Sequence, residues 1–222
     1  MPYYFEELIM SSLSVSEWLQ CPLSYNWESI EQIYSDYFRC AGFIDNVGEP
    51  WDNYPCEFIV SDIAKYLLEV GGLTAQEILD DIHEIDCPCN GMFWGLNLKS
   101  TSIIMPPRMT EVSFACFQGS DLESIDCSYI QVLTPQAFYR CKNLKEVQLK
   151  SVKTIEENAF GSCVNLKSLT LPKTIQKIDM YAFEDCERLD LYLPEQFKNL
   201  IQDDIDIWCE EHPGALGRII GY

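Results

Sequence analysis

A pair of apolar residues recurs every 22 residues through the middle of the chain. The first members of the pairs are Ile103, Ile125, Val147, Leu169 and Leu191. The second members, each two residues further on, are Met105, Cys127, Leu149, Leu171 and Leu193. A fixed period in the twenties is typical of a solenoid, in which each unit buries its apolar face only against its neighbours. The sequence therefore predicts a stack of short units.

A second motif, Ala-Phe-x-x-Cys, recurs at steps of 22 and 23 residues and begins at Ala137, Ala159 and Ala182. The combined pattern is A-F-x-x-C-x-x-L-x-x-L-x-L-P, and its phenylalanines are predicted to fill the turn between one unit and the next. It closely resembles the BspA-like leucine-rich repeats, a bacterial family, over roughly residues 103–194. The first copy departs from it, because Cys116 replaces the alanine and Ser120 replaces the cysteine. The resemblance implies a binding scaffold and no chemistry.

Alternation within each unit predicts a short strand whose middle residue faces outward. These middle residues are Ile104, Asp126, Gln148, Thr170 and Tyr192. Because neighbouring strands lie about 4.8 Å apart, the row is expected to span roughly 20 Å of a concave face. Concave faces are the usual binding surfaces of solenoids, so the five residues are candidate partner-binding residues. The alternative is that this face of the sheet is exposed to solvent and binds no partner.

The charge of the chain is strongly negative and unevenly distributed. The formal net charge is −20, and residues 1–95 hold 17 acidic residues against only Arg39 and Lys65. Such a surface repels nucleic acid and anionic membranes and attracts basic proteins. We therefore expect a protein partner, basic in charge, with no direct nucleic-acid binding and no membrane binding. The alternative is that the charge serves solubility alone.

Residues 1–99 are predicted to form an acidic, mainly α-helical module that includes the cap of the solenoid. Helical apolar stripes occur at residues 26–41 and 62–70, and Thr74 to Glu77 fits a capping box. The helix after this box carries acids opposite its apolar face, which are the next candidate binding residues: Asp80, Asp81, Glu84 and Asp86. A turn-rich loop holds a candidate aromatic anchor between two acids: Glu49, Trp51 and Asp52. The alternatives are that the acidic face is exposed to solvent without binding a partner, and that Trp51 packs against the core.

The predicted fold class is α+β, in three segments. The acidic helical module occupies residues 1–99, a solenoid of about five 22-residue leucine-rich repeats occupies residues 100–194, and a C-terminal cap occupies residues 195–222. Phe93 to Leu98 is predicted to close the first repeat. A capping helix is indicated by apolar residues at helical spacing: Phe197, Ile201, Ile205 and Trp208. The segment from Arg218 to Tyr222 is predicted to dock as a tail.

No motif for catalysis or cofactor binding occurs in the sequence. His83, Cys87 and Cys89 suggest zinc, but the two cysteines are closer in sequence than zinc ligands usually are. A fourth ligand, Cys56, would have to be assumed. We therefore expect no cofactor, no metal and no enzymatic activity. The alternative is an enzyme or zinc protein that uses the N-terminal module.

The chain has eleven cysteines, which are predicted to be reduced. Cys141, Cys163 and Cys186 occupy one repeat position that calls for a small apolar side chain, and a free thiol serves there well. The first residues lack the basic and apolar regions of a signal peptide. No apolar run approaches the roughly 20 residues that span a bilayer. We therefore expect a cytoplasmic protein.

The leading functional hypothesis is a protein-binding module that uses the acidic surface and the concave face together. Its sharper form is inhibition of a basic nucleic-acid-handling protein by charge mimicry, as in anti-CRISPR or anti-restriction proteins of phage. The alternative of another class is a structural or adhesion protein of the bacterial surface, which the family resemblance suggests. The sequence leaves the oligomeric state open.

Overall fold

The computed structural model describes residues 64–65, 68–69, 72–81, 88, 90–201, 206–207, 209–210 and 216–222. Two short α-helices, one 3-10 helix (Met180–Phe183) and ten strands have full bounds within these residues. The helices are α1 (Ala75–Asp81) and α2 (Glu195–Leu200). The strands that carry the 22-residue period are β1 (Ser102–Ile104), β3 (Ser124–Cys127), β5 (Glu146–Leu149), β7 (Ser168–Thr170) and β9 (Leu189–Leu193). The others are β2 (Glu111–Val112), β4 (Val132–Leu133), β6 (Thr154–Ile155), β8 (Lys177–Ile178) and β10 (Leu216–Gly221).

The chain winds into a leucine-rich-repeat solenoid of about four turns. Each complete turn contributes one longer strand and one two-residue strand, from the pair β1 and β2 to the pair β7 and β8. The two-residue strands form a continuous parallel sheet in the order β2-β4-β6-β8. The fifth predicted repeat is incomplete: β9 is followed at Pro194 by α2, and no second strand forms. The prediction of about five repeats is therefore corrected to about four.

Burial along the longer strands follows the predicted alternation. Nine of the ten residues at the first and third positions are buried, and most of them are 3% exposed or less. The exception is Val147, which is only half-buried. The apolar period therefore sets which face of each strand packs in the core.

A stack of five phenylalanine rings fills the turns between units. Neighbouring ring centroids lie 5.3 to 5.9 Å apart, and the rings are nearly parallel, in the order Phe93, Phe117, Phe138, Phe160 and Phe183. All five are buried. The predicted role of the phenylalanines is confirmed. The stack also begins one ring earlier than the recognised repeats, at Phe93, so the predicted cap is part of the same core.

The repeated cysteine hydrogen bonds to the unit before it. The thiols of Cys141, Cys163 and Cys186 donate to the backbone carbonyl oxygens of Phe117, Phe138 and Phe160 at 2.9, 3.1 and 3.2 Å. All three thiols are buried. Ser120, which replaces cysteine in the first copy, is buried as well, and its hydroxyl contacts the thiol of Cys141 at 3.7 Å.

Helix α1 covers the N-terminal end of the solenoid. Its residues Ala75, Ile78 and Leu79 are buried in the core of the repeats. The predicted capping box is confirmed, because the N–H of Glu77 donates to the hydroxyl of Thr74 at 3.2 Å and the N–H of Thr74 donates to the Glu77 carboxylate at 2.7 Å. The Thr74 donors lower the pKa of Glu77. The helices predicted before residue 62 lie outside the described residues.

The C-terminal tail is a strand of the solenoid sheet. Strand β10 pairs in parallel with β9, and Ile220 is the partner of Tyr192 in the register. The N–H of Tyr222 donates to Leu193, and the Tyr222 hydroxyl donates to the carbonyl of Leu171 at 2.6 Å. The predicted capping helix is observed in part as α2, with Phe197 buried. The predicted docking of the tail is confirmed, and it takes the form of a paired strand.

None of the helices in the described part of the chain has both the length and the apolar character required to span a membrane.

Candidate functional site

The outward residues of the longer strands form one row across the concave sheet. The register aligns Ile104 with Asp126 and Gln148, and it aligns Thr170 with Tyr192 and Ile220. The first five are the residues that the sequence predicts to face outward. Ile220 is a sixth member that sequence reasoning missed, because helix α2 and the residues after it interrupt the period before β10.

The row is divided in the middle. The longer strands form two three-stranded sheets, β1-β3-β5 and β7-β9-β10, and β5 and β7 are neighbours without a hydrogen-bonded ladder. Gln148 and Thr170 stand on either side of this seam, and both are exposed. Val147, the half-buried exception in the core pattern, is also on β5. The surface that carries the row therefore consists of two sheets that meet at this seam.

Two carboxylates on this surface are already engaged within the chain. Asp126 accepts the N–H of Ser128 at 2.8 Å and also accepts the hydroxyl of Ser128. Asp190 accepts from the guanidinium of Arg218 at 2.5 and 3.1 Å and from its backbone N–H at 2.8 Å. The Arg218 donors lower the pKa of Asp190. Both carboxylates thus have internal partners that a bound protein would have to share or replace.

The remaining members of the row present a mixture of apolar and neutral polar groups. Ile104 is 59% exposed, the largest exposed fraction among the large hydrophobic residues that the structure describes. Gln148 and Thr170 are exposed, and Tyr192 is half-buried. Such a face is suited to a protein surface, because uncharged side chains offer little attraction to a phosphate backbone.

The side chain of Gln76 joins the acidic helix to the concave row. Its amide accepts the N–H of Ile104 at 2.7 Å and donates to the Ile104 carbonyl at 2.9 Å. The same amide donates to the carboxylate of Asp80 at 3.0 Å. Gln76 therefore closes the free edge of β1 as a neighbouring strand would, and it holds Asp80, one of the predicted acidic residues, beside the first residue of the row.

Arg108 fixes the other end of α1. Its guanidinium donates to the carbonyl oxygens of Leu79 and Asp80 at 2.5 and 3.4 Å, where the last turn of the helix leaves carbonyls without intrahelical donors. A cation at the C-terminal end of a helix is also favoured by the helix dipole. The helix is thus attached to the first turn of the solenoid through residues of both.

The structure describes no side-chain contacts for the remaining predicted acidic and aromatic residues. Asp81 ends α1, and nothing is described of its side chain. The following candidates lie outside the described residues: Glu49, Trp51, Asp52, Glu84 and Asp86. The residues weighed for zinc lie outside them as well: Cys56, His83, Cys87 and Cys89. Within the part that the structure describes, no group of three or more His, Cys, Asp or Glu side chains is arranged to hold a metal ion.

The repeat thiols are poor nucleophiles because they are buried. Burial raises the pKa of Cys141 and that of Cys186 to about 12, and it also raises the pKa of Cys163 well above its ordinary value. The thiolate is the reactive form of cysteine. These thiols therefore belong to the core and offer no reactive site.

Comparison with known proteins decides the family. The model described as a BspA type leucine rich repeat region, in six copies, matches residues 62–190, more than half of the 222-residue chain. This chain belongs to the BspA-type leucine-rich repeat family. The BspA-type match begins well before residue 103, in agreement with the ring stack that begins at Phe93. The spacing from Phe93 to Leu98, identical to that from Phe117 to Leu122, is the sequence signal for this earlier unit.

Two solved bacterial leucine-rich repeat structures are similar to this BspA-type protein. The T. pallidum leucine rich repeat protein is 24% identical with a TM-score of 0.46, over 50% of this chain and 54% of that one. A leucine-rich repeat protein from Eubacterium ventriosum ATCC 27560 is 26% identical with a TM-score of 0.38, over 43% of this chain and 33% of that one. The matched part thus spans about half of one and a third of the other. No curated protein matches the chain.

Membership of the family indicates the general class of activity. Leucine-rich repeat proteins commonly mediate protein–protein interactions, and the family is typically non-enzymatic. The binding face and partner of an individual member depend on its exposed side chains.

Proposed function

We propose that this protein binds another protein through the concave row and the adjoining acidic surface of α1. The observation that carries the proposal is the Gln76 amide, which contacts both Asp80 and the backbone of Ile104. An acidic group and an exposed apolar group therefore stand side by side at one end of the row. A basic protein with an apolar contact surface would complement this combination.

The negative charge supports a basic partner in particular. Residues 1–95 carry a net charge of −15, from 17 acidic and two basic residues. Charge of one sign attracts a partner of the opposite sign and raises the rate of encounter. The narrower form of the proposal is inhibition of a basic nucleic-acid-handling protein by charge mimicry, and its support is this segregation of charge. The buried repeat thiols support a reducing, cytoplasmic location.

The test is affinity capture from a lysate with three matched variants of the full chain. The first variant changes Gln148, Thr170 and Tyr192 to alanine, and the second changes Asp80, Asp81, Glu84 and Asp86 to Asn or Gln. The third is a control that changes exposed residues away from the row to alanine: Asn143, Glu157 and Gln176. We expect a partner that the wild type and the third variant retain and the first variant loses at least tenfold. Loss from the second variant and in ~0.5 M salt would support the basic partner.

Two outcomes distinguish the forms of the proposal. A partner that the first variant retains as well as the wild type does would show that the row is not the binding face. A partner that binds through the row but tolerates both the acidic variant and high salt would leave the protein-binding role and eliminate charge mimicry.

A further inference from the structure

Four exposed lysines lie at one flank of the solenoid, three on two stacked turns and Lys177 at the start of β8. Residues 150–153 connect β5 to β6, and residues 171–176 connect β7 to β8 in the next unit. Three hydrogen bonds join these turns: the Thr174 hydroxyl donates to Val152 at 2.8 Å, and the N–H groups of Gln176 and Lys177 donate to Lys153 at 2.8 and 3.0 Å. We call the four residues the lysine flank: Lys150, Lys153, Lys173 and Lys177.

Among the residues that the structure describes, no acidic side chain forms an ion pair with the lysine flank. Lys153 donates from its ammonium group to the amide oxygen of Gln131 at 2.7 Å, a neutral acceptor. Within the described residues, the ion pairs are Lys145 with Glu123 and Arg218 with Asp190, and neither involves the flank. No Asp or Glu occurs in residues 147–155 or 164–178. The described part of the chain thus leaves the flank as a positive surface without an ion-pair partner, on a chain with a net charge of −20.

The lysines on the opposite side of the repeats have a different environment. Lys145 pairs with Glu123 at 2.7 Å, and the ammonium of Lys167 donates to the carbonyl oxygens of Val164 and Glu187. Glu146 follows Lys145 directly in the sequence. Both ammonium groups thus have acceptors within the chain, and Lys145 has an acidic partner, so these lysines form a comparison set for the flank.

Two kinds of anion could occupy the flank: a separate polyanion, or the acidic segment of the same chain. Residues 1–63 contain 11 acidic residues and a single basic one, Arg39. A separate polyanion must approach against the net charge of −20, whereas a tethered segment is present at an effective concentration in the range of millimolar. Reach favours it, because the segment is joined directly to Ala64, which is buried in the same core, and the flank lies a few strand spacings from α1.

We propose that the lysine flank is the intramolecular docking site of the acidic segment, residues 1–63. Single exposed ion pairs are weak, so the contact depends on several of them acting together and is screened by salt. It is therefore reversible, and a basic partner would compete with the flank for the same carboxylates. The docking itself requires no partner protein.

Zero-length carbodiimide cross-linking of the full chain tests the contact. The reagent joins an ammonium and a carboxylate that touch, and the Lys145–Glu123 pair at 2.7 Å is an internal positive control. We expect isopeptide links from the flank lysines to acids of residues 1–63 in the monomer fraction. These links should fall at least fivefold when ~0.5 M NaCl is present, because salt screens exposed charges.

Three results would overturn the proposal. One is formation of the Lys145–Glu123 link without any link from the flank to residues 1–63. Another is flank links to these residues only in covalent dimers, which would show that a second copy occupies the flank. The third is displacement of the links by a low concentration of added polyglutamate, which would show that the flank prefers a separate polyanion.

A pair of variants gives an independent measurement. The flank variant changes Lys150, Lys153, Lys173 and Lys177 to Gln, and the control variant changes Lys99, Lys142, Lys145 and Lys167 to Gln. Both variants lose four positive charges. In low salt we expect a larger hydrodynamic radius for the flank variant than for the wild type and the control, and equal radii for all three in ~0.5 M NaCl. Equal radii in low salt would contradict the docking.

Discussion

At the scale of single residues, the stability of each unit depends on side chains that contact the units before and after it. The phenylalanine rings stack on both neighbours, and the cysteine thiols donate across the same boundary. The residue two positions after each phenylalanine has a positive φ in all five turns: Gly95, Gly119, Arg140, Ser162 and Asp185. The turn is therefore kept even where a residue other than glycine must adopt a left-handed conformation.

Phe160 provides a direct test of the ring stack. It is fully buried between Phe138 and Phe183, with centroids 5.3 and 5.9 Å away. Phe160→Ala should lower the free energy of unfolding by about 3–5 kcal/mol, because it removes a large buried side chain and leaves a cavity. Urea denaturation measures the loss. The exposed control Gln176→Ala should change it by less than about 0.5 kcal/mol, and an equally small change for Phe160→Ala would contradict the role of the stack.

At the scale of elements, the two ends of the concave sheet are closed in different ways. The N-terminal edge is closed by a side chain, because the Gln76 amide takes the place of a neighbouring strand beside Ile104. The C-terminal end is extended by strand β10, which carries Ile220 into the row. An unpaired edge exposes backbone groups to other chains, so covering or charging it limits unwanted pairing.

The pairing of β10 should weaken in acid. Arg218 on β10 donates to Asp190 on β9 and lowers the pKa of that carboxyl. A carboxyl group whose pKa is lower in the folded chain stabilises the folded state at pH values above its ordinary pKa of about 3.9. This stabilisation is lost as the pH falls through the pKa that the group has in the folded chain. Hydrogen exchange of residues 216–221, corrected for intrinsic rates, should show less protection near pH 3 than near pH 6.

A variant connects this effect to the ion pair. Arg218→Gln should reduce the protection of β10 at pH 6 and make it less dependent on pH, while Arg140→Gln, a change at an exposed arginine, should behave as the wild type does. A pH dependence that Arg218→Gln leaves unchanged would assign it to another carboxyl group.

At the scale of the whole molecule, the solenoid has one core that runs through all its turns. Buried residues from Ala64 and Leu68 before α1 to Phe197 on α2 belong to a single hydrophobic cluster. In a stack of this kind, each unit is stabilised by its interfaces with its neighbours, so a short array unfolds with strong coupling between units.

The repeat thiols report on this coupling. At pH 8 the native chain should alkylate very slowly at Cys141, Cys163 and Cys186, because burial holds their pKa far above that pH and excludes the reagent. In increasing urea, the three should become labelled together with the loss of circular dichroism, as peptide mapping can measure. Half-buried Cys209 should react earlier. Labelling of one repeat thiol well before the other two would show that the units unfold separately.

The sequence by itself determined the repeated part of the fold. A period of 22 residues in apolar pairs specifies which side chains face inward, because each unit can bury them only against its neighbours. The same period placed Ile104, Asp126, Gln148, Thr170 and Tyr192 on one face, and the capping box placed the start of α1 at Thr74. These are local or nearest-neighbour properties, and a repeating pattern is sufficient to state them.

Only the tertiary structure decided how the ends and the surface are completed. The contacts of Gln76 with Ile104, of Arg108 with α1 and of Arg218 with Asp190 join residues about 28 positions apart outside the period. The seam between β5 and β7 and the return of β10 likewise have no counterpart in the repeat. Such contacts form between side chains that become neighbours only when the chain folds, and the 22-residue period contains no information about them.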